Sequence, residues 1–416
     1  MERVVVIGGG PGGCGAALTA AKASVQVVLL ERTDSLSGLS PWCGQLMGWG
    51  PRHESRLMGG GDYFNVWESL EINRKSDFSI PDGNILWDVT QVEQATARAM
   101  EAAGVKVMLQ AQAVDVEMEG NRVTAVVLAN GDRVAGDAFV DATGATGGVA
   151  LCTRHGQGCA LCCLKCTVFG DRASISEKAG VPDLPGTPRY LTMNFVALES
   201  LAPWKRREIE ETPGGYSYHP IPEAFFTSDF TNDWPYPQRP IKARWQDEDL
   251  EVVNVRFAKT RLLVPLSYMR QVPGFENAWP AMPMTTAGMA VGASSPAPRE
   301  DTMRVKGLDN LFAAGSRAGN YSSAVPAIFT GELAGHNAAR KVLGRGLLVL
   351  PKSTIQGFFI SMVNRGKTPT EWPRTHKAEP IFDEHGFDIP RLTDFQRIKE
   401  SIQESGLTSV YERKLA

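Results

Sequence analysis

Arg3-Val4-Val5-Val6-Ile7-Gly8-Gly9-Gly10-Pro11-Gly12-Gly13 opens the chain and decides its fold. Five residues, four of them β-branched, precede a glycine turn, the mark of a short parallel strand buried on both faces. Ala16 to Ala23 then reads as a helix of small residues and Val25 to Leu30 as a second strand, which completes a βαβ unit. Gly8, Gly10 and Gly13 satisfy G-x-G-x-x-G, whose glycines allow a tight turn, close approach of backbone to a pyrophosphate, and contact between helix and strand. The N-terminus of the helix offers unpaired N–H groups and the positive end of its dipole to phosphates. Glu31 ends the second strand, where a carboxylate accepts hydrogen bonds from an adenosine ribose. Alone the glycine motif is weak; with its strand, helix and acid it reads as a dinucleotide site.

Outward from this unit, positions 87–103 have helical spacing that ends at Gly104, and Val105 to Leu109 is a further strand. Ala113 to Met118, Arg122 to Leu128 and Arg133 to Val140 read as a three-stranded meander, with Asn130-Gly131 as a hairpin turn and Asp141-Ala142-Thr143-Gly144 as its end. Residues 182–300 lack βα rhythm and are rich in proline and aromatics. A strand returns at Leu311 to Ala314, followed by a long helix from about Ser323 to Leu343. Gly59-Gly60-Gly61 follows no buried strand and reads as a loop.

The expected fold is therefore α/β. A discontinuous Rossmann-type domain (1–150 and 301–345) holds a parallel sheet and the meander, an inserted α+β domain (151–300) covers the substrate, and 346–416 is a polar, mostly helical docking segment. In 416 residues, 43 basic against 46 acidic side chains give a net charge of −3, with 43% apolar and 21% charged residues. That balance predicts no nucleic-acid partner and no membrane anchor. The opening lacks a signal peptide, no window is apolar enough to span a bilayer, and seven cysteines do not form an extracellular disulfide pattern, so the expected location is cytoplasmic. A small-molecule substrate is expected; a redox partner protein and a homo-oligomer stay open.

Taken together, Glu31-Arg32, Ser37-Gly38-Leu39-Ser40, Asp141-Ala142-Thr143-Gly144 and Asn310-Leu311-Phe312-Ala313-Ala314-Gly315 resemble the glutathione-reductase-like FAD-dependent oxidoreductases, in particular the family that includes the flavin subunit of heterodisulfide reductase. The resemblance spans roughly residues 1–150 and 300–345. It implies FAD, with Gly8, Gly10 and Gly13 at the pyrophosphate, Glu31 and its neighbour Arg32 at the adenosine, and Gly38 and Ser40 in the following loop. Val114 would meet the adenine through its backbone, Thr143 and Gly144 would line the dinucleotide, and Gly315 and Ser316 would lie by the ribitol and pyrophosphate. The helix beginning near Ser323 would point its N-terminus at the flavin edge that gains negative charge on reduction. Many relatives carry an acid where this chain has Ser316. A second G-x-G-x-x-G unit is absent, so reducing equivalents come from transient NAD(P)H docking, from the substrate, or from a protein donor.

Cys159, Cys162, Cys163 and Cys166 stand at i, i+3, i+4 and i+7, which would line one face of a helix. Three readings remain open for them: ligands of an iron–sulfur cluster such as 4Fe–4S, a redox dithiol at Cys159 and Cys162, or a buried small-hydrophobe face. Arg154, His155 and Arg172 flank the run as candidates for catalysis, the arginines for binding a carboxylate or reduced flavin and His155 for proton transfer or a structural hydrogen bond. Cys43 is either a thiol partner of the flavin or a packed loop residue. The function expected is an FAD-dependent oxidoreductase passing hydride or electrons to or from a small organic molecule. A flavin monooxygenase and a non-catalytic electron-transfer subunit are the alternatives.

Overall fold

The computed structural model describes residues 2–38, 45–46, 49–72, 85–144, 173–185, 191–211, 241–245, 248–258, 266–279, 287–289, 295–319, 324–364 and 394–415. β1 (Arg3–Ile7), α1 (Pro11–Ala21) and β2 (Gln26–Leu30) form the expected βαβ unit. α1 begins several residues before the small-residue run suggests, because Pro11 presets the first helical turn and costs it no hydrogen bond. Val4, Val5 and Val6 have no exposed surface, which stabilises the unit by about 1.5–3 kcal/mol for each side chain removed from water.

β3 (Gln45–Leu46), α2 (Trp49–Leu57), α3 (Asp62–Glu68), β4 (Ile85–Leu86), α4 (Val92–Ala102) and β5 (Lys106–Met108) follow. Gly59–Gly61 is a loop, and Gly61 caps α3. β6 (Ala113–Glu119), β7 (Arg122–Leu128) and β8 (Arg133–Ala135) form the antiparallel meander, closed at Asn130-Gly131 as expected.

The third expected meander strand, Arg133 to Val140, is in fact two. After β8 the chain turns at Gly136, and β9 (Ala138–Asp141) pairs in parallel with β1. Gly136 lies so close to Val5 that a Cβ would fall 2.7 Å from its Cγ2. Asp137 then exchanges bonds with Arg3 at 2.9 Å in both directions. All four β9 residues are buried, as a strand covered on both faces requires. Sheet order is β14–β9–β1–β2–β5, with β14 (Leu311–Ala313) at one edge.

α5 (Ile175–Lys178) leads into a second antiparallel sheet with order β11–β12–β10–β13, made by β10 (Leu191–Ala197), β11 (Ile241–Trp245), β12 (Glu248–Ala258) and β13 (Ala287–Met289). α6 (Pro203–Glu211) and α7 (Leu266–Met269) accompany it, and Val196, Leu201, Ile209 and Phe275 belong to a small core separate from that of the parallel sheet. α8 (Ala324–Val342), α9 (Ile355–Asn364) and α10 (Phe395–Glu404) complete the order. α9 corrects the polar reading of the tail: eight of its residues from Ile355 to Met362 are buried, and the five apolar ones, Ile355, Phe358, Phe359, Ile360 and Met362, join the main core. No described helix is long and apolar enough to cross a membrane.

Candidate functional site: the glycine turn and the strand ends around it

Strand and helix can meet at the opening turn because two glycines leave room. A Cβ on Gly13 would fall 1.7 Å from the Gly8 carbonyl oxygen. Gly8 itself has φ +105°, and a Cβ there would strike the Ala142 carbonyl at 2.5 Å, so this turn tolerates glycine alone. Gly10 differs. Its backbone is extended (φ −76°, ψ −176°) and it caps α1 without any side-chain bond, yet among the described residues nothing lies within 4 Å of where a Cβ would be. Neither its conformation nor the packing of the described residues requires glycine at 10. Open space beside an uncapped helix start, with no acidic residue in the first turn, fits a phosphate group.

Glu31 is 6% exposed. Its Oε2 accepts the Gly9 N–H at 2.7 Å, and Oε1 accepts the Thr33 N–H at 2.8 Å and the Thr33 hydroxyl at 2.9 Å. A carboxylate has about four acceptor positions, so these three donors hold it rigidly and leave capacity for a ribose hydroxyl. Ser37 donates its N–H to the Gly9 carbonyl at 2.8 Å, drawing the following loop onto the turn. A Cβ on Gly38 (φ +55°) would lie 3.1 Å from the Gly10 Cα.

Two strand ends close on the same turn. Thr143 follows β9, and its Cα lies 3.0 Å from the Cβ position of Gly8. Gly315 follows β14, and its nitrogen lies 3.0 Å from the Cβ position of Gly12. Gly315 is fixed from behind, where its N–H donates to Thr330 Oγ1 at 3.1 Å on α8. At Gly144, as at Gly10, no described residue lies within 4 Å of where a Cβ would be. Val114 sits at a register shift of β6 between the paired residues Ala113 and Asp115, a bulge of the kind that leaves backbone outside the ladder.

Thus Gly8, Gly10, Gly13, Glu31, Gly38, Thr143, Gly144, Gly315 and Ser316 are brought to one place, with Arg32 half-buried beside Glu31. Ser40, Ser323, Cys43, Arg154, His155, Arg172 and the cysteines Cys159, Cys162, Cys163 and Cys166 lie outside the described residues. α8 opens at Ala324, with Pro326 in its first turn and no acid there. Among the described residues no group of three or more His, Cys, Asp or Glu side chains is placed to hold a metal ion. Cys14, on α1, is buried and gives its thiol to the Gly9 carbonyl at 3.2 Å. Burial pushes that thiol up to about 12, against the pull of bonds from Tyr63 and Ser37, so it stays protonated and unreactive.

Arg317 is a residue that pattern reading misses. It lies two positions after Gly315 and is wholly buried, as is its partner Asp141, which accepts from Nε at 2.9 Å. The other guanidinium nitrogens reach Asp183 Oδ2 at 2.9 Å and Oδ1 at 2.6 Å, Ser174 Oγ at 2.7 Å, Ser176 Oγ at 2.9 Å, and the Ser295 carbonyl. Burial would lower the guanidinium, but Asp141 and Asp183 outweigh it and hold Arg317 above its usual range. Asp141 Oδ1 in turn accepts the N–H and hydroxyl of Thr143 at 3.1 and 2.6 Å.

Comparison with known proteins agrees with this geometry. Residues 3–154 match the family model described as FAD dependent oxidoreductase, and residues 236–346 match that of Glucose inhibited division protein A. Among solved structures, GidA from Aquifex aeolicus in its form II crystal has a TM-score of 0.62 at 16% identity, covering 99% of this chain and 74% of that one. The Diels-Alderase PyrE3, from the biosynthetic pathway of pyrroindomycins, has a TM-score of 0.53 at 15% identity, covering 99% and 79%. At such identities the likeness is one of fold. No curated protein sequence matches significantly.

Proposed function

We propose that this chain is an FAD-dependent oxidoreductase that passes hydride or electrons between FAD and a small organic substrate. The observation that carries the reading is the open cradle at Gly10, set between an uncapped helix start and the buried Glu31 carboxylate. Bound there, FAD supplies a ring system that accepts and returns two electrons. The chain's own part is to hold and polarise it. The α1 N-terminus and the open side of Gly144 take the pyrophosphate, Glu31 takes the ribose, and the bulge at Val114 offers backbone to the adenine. The α8 N-terminal turn, free of acids, favours negative charge on whatever lies before it.

Purified protein tests this directly. We expect a yellow preparation with flavin absorbance, or stoichiometric uptake of added FAD, and loss of that uptake in Gly10→Val. Because a Cβ at 10 meets no described atom within 4 Å, the variant stays folded, with a melting temperature lowered only by the poorer helix N-cap that valine makes. A colourless protein that takes up no FAD overturns the proposal.

For the cysteines, the reading as an iron–sulfur cluster or redox dithiol, akin to the flavin subunit of heterodisulfide reductase, rests on their spacing. Anaerobic purification with iron and sulfide assays decides the metal; iron-free protein with free thiols removes it. NAD(P)H as a transient donor is tested by anaerobic bleaching of the flavin band.

A further inference from the structure

Arg317 joins three stretches far apart in sequence. Its Nε meets Asp141 at the end of β9, its backbone N–H closes the turn after β14 on the Ala314 carbonyl at 3.2 Å, and its two terminal nitrogens meet Asp183 in a two-pronged bond. A guanidinium is a rigid planar fork, so fixing its far prongs also fixes the direction of Nε. The Asp183 side chain is almost fully buried and is further held by Ser174 at 2.9 Å and Ser176 at 2.6 Å. From Asp183 the chain of bonds thus runs through Arg317 to Asp141 and on to Thr143. Thr143 and Gly315 are the residues that close on Gly8 and Gly12 of the glycine turn.

We infer that Asp183, acting through Arg317, is a positioning residue for the dinucleotide site: the docking of segment 173–185 sets the spacing of the Thr143–Gly144 and Gly315–Ser316 turns, so segment and cofactor stabilise one another. This rests on the flavin reading above. Linkage makes the effect reciprocal: the factor by which docking tightens FAD equals the factor by which FAD tightens docking.

Hydrogen–deuterium exchange over residues 173–185, with and without saturating FAD, is paired with FAD affinity measured by quenching of flavin fluorescence. In the wild type FAD slows exchange across this segment. Asp183→Asn, which keeps the shape and removes the charge, weakens FAD about tenfold and abolishes the slowing, whereas Asp183→Glu restores part of both. Ser176→Ala removes a single hydroxyl and gives a smaller shift of two- to threefold, so the coupling is readable even where Asp183→Asn fails to fold. Wild-type FAD affinity in a folded Asp183→Asn, or FAD that leaves exchange over 173–185 unchanged, overturns the inference while leaving the flavin reading intact. A wild-type chain that binds no FAD sinks that reading, and this one with it.

Discussion

Gly331 on α8 is seated directly against Gly12 on α1: a Cβ on Gly331 would fall 2.0 Å from the Gly12 carbonyl oxygen. One turn further along, Gly335 stands in the same relation to Ala16, at 2.1 Å. The two helices therefore cross almost backbone to backbone, with small residues i and i+4 forming the seam.

Gly331→Ala forces the helices apart, since the obstructing atom is backbone and has no rotamer to retreat into. The expected cost is about 3 kcal/mol or more, at the upper end for overpacking, seen as a lower urea midpoint. Flavin retention falls with it, because α8 also carries the Thr330 hydroxyl that fixes Gly315.

Glu31→Gln keeps size but sets an amide NH2 against donors. Both carboxylate oxygens accept from backbone N–H groups, so one amide nitrogen must face a donor whichever way it is turned. Stability drops by about 1–3 kcal/mol, the usual consequence of an unsatisfied buried polar group. FAD affinity falls at least tenfold, measurable by ultrafiltration of free flavin.

Asn310 ties the meander to the parallel sheet with its side-chain amide, donating to the Val123 and Asp137 carbonyls at 2.8 and 2.9 Å and accepting from the Val123 N–H at 2.9 Å. Asn310→Ala strands these groups and destabilises by about 2–4 kcal/mol. Asn310→Asp fares no better, since it turns an oxygen toward two carbonyls. Chemical denaturation of both variants checks this.

Two buried acids make stability fall as pH rises. Glu54 accepts the Ile355 and Gln356 N–H groups at the start of α9, at 2.7 and 2.8 Å. Glu332 accepts the Ser55 hydroxyl at 2.6 Å and the Gly61 N–H at 2.7 Å. Burial raises each from the ordinary 4.5 to about 7, outweighing these bonds. Between those values the folded state binds more protons than the unfolded chain, so stability is greatest at low pH within this window and is lost on going from about pH 5 to about pH 8. At 1.36 kcal/mol per unit this approaches about 3 kcal/mol for each acid. Glu332→Gln flattens the slope and melts above the wild type at pH 8; a flat wild-type profile between pH 5 and 8 contradicts the assignment. His336, one turn from Glu332, works in the opposite sense: burial and then Arg340 lower it from 6.5 to about 3, so between those values the unfolded chain binds the extra proton and the fall below pH 6.5 is offset by about one acid's share.

The elements that sequence made legible are those whose cause is local. β-branched runs, the glycine motif, Glu31 at a strand end and the Asn130-Gly131 turn each announce themselves over a few residues. The split at Gly136 was illegible because Arg133 to Val140 is continuous as a β pattern; only Val5, over a hundred residues earlier, shows that the backbone must change sheets there. Ile355–Asn364 was masked by the polar sequence around it. Arg317, Asp183 and Thr330 belong to no motif, and their meaning arises only when β9, β14 and α8 converge.

The seam between α1 and α8 also sets an order of events in the making of the protein. α1 leaves the ribosome well ahead of the helix that covers its glycine face, from which some three hundred residues separate it. Until that late helix arrives, the nascent nucleotide unit carries a bare stripe of small residues and an incomplete core, the state in which multidomain chains are most exposed to misassembly. Synthesis stopped short of Ala324 would leave that stripe uncovered for good, and such a fragment would depend on chaperones for its solubility.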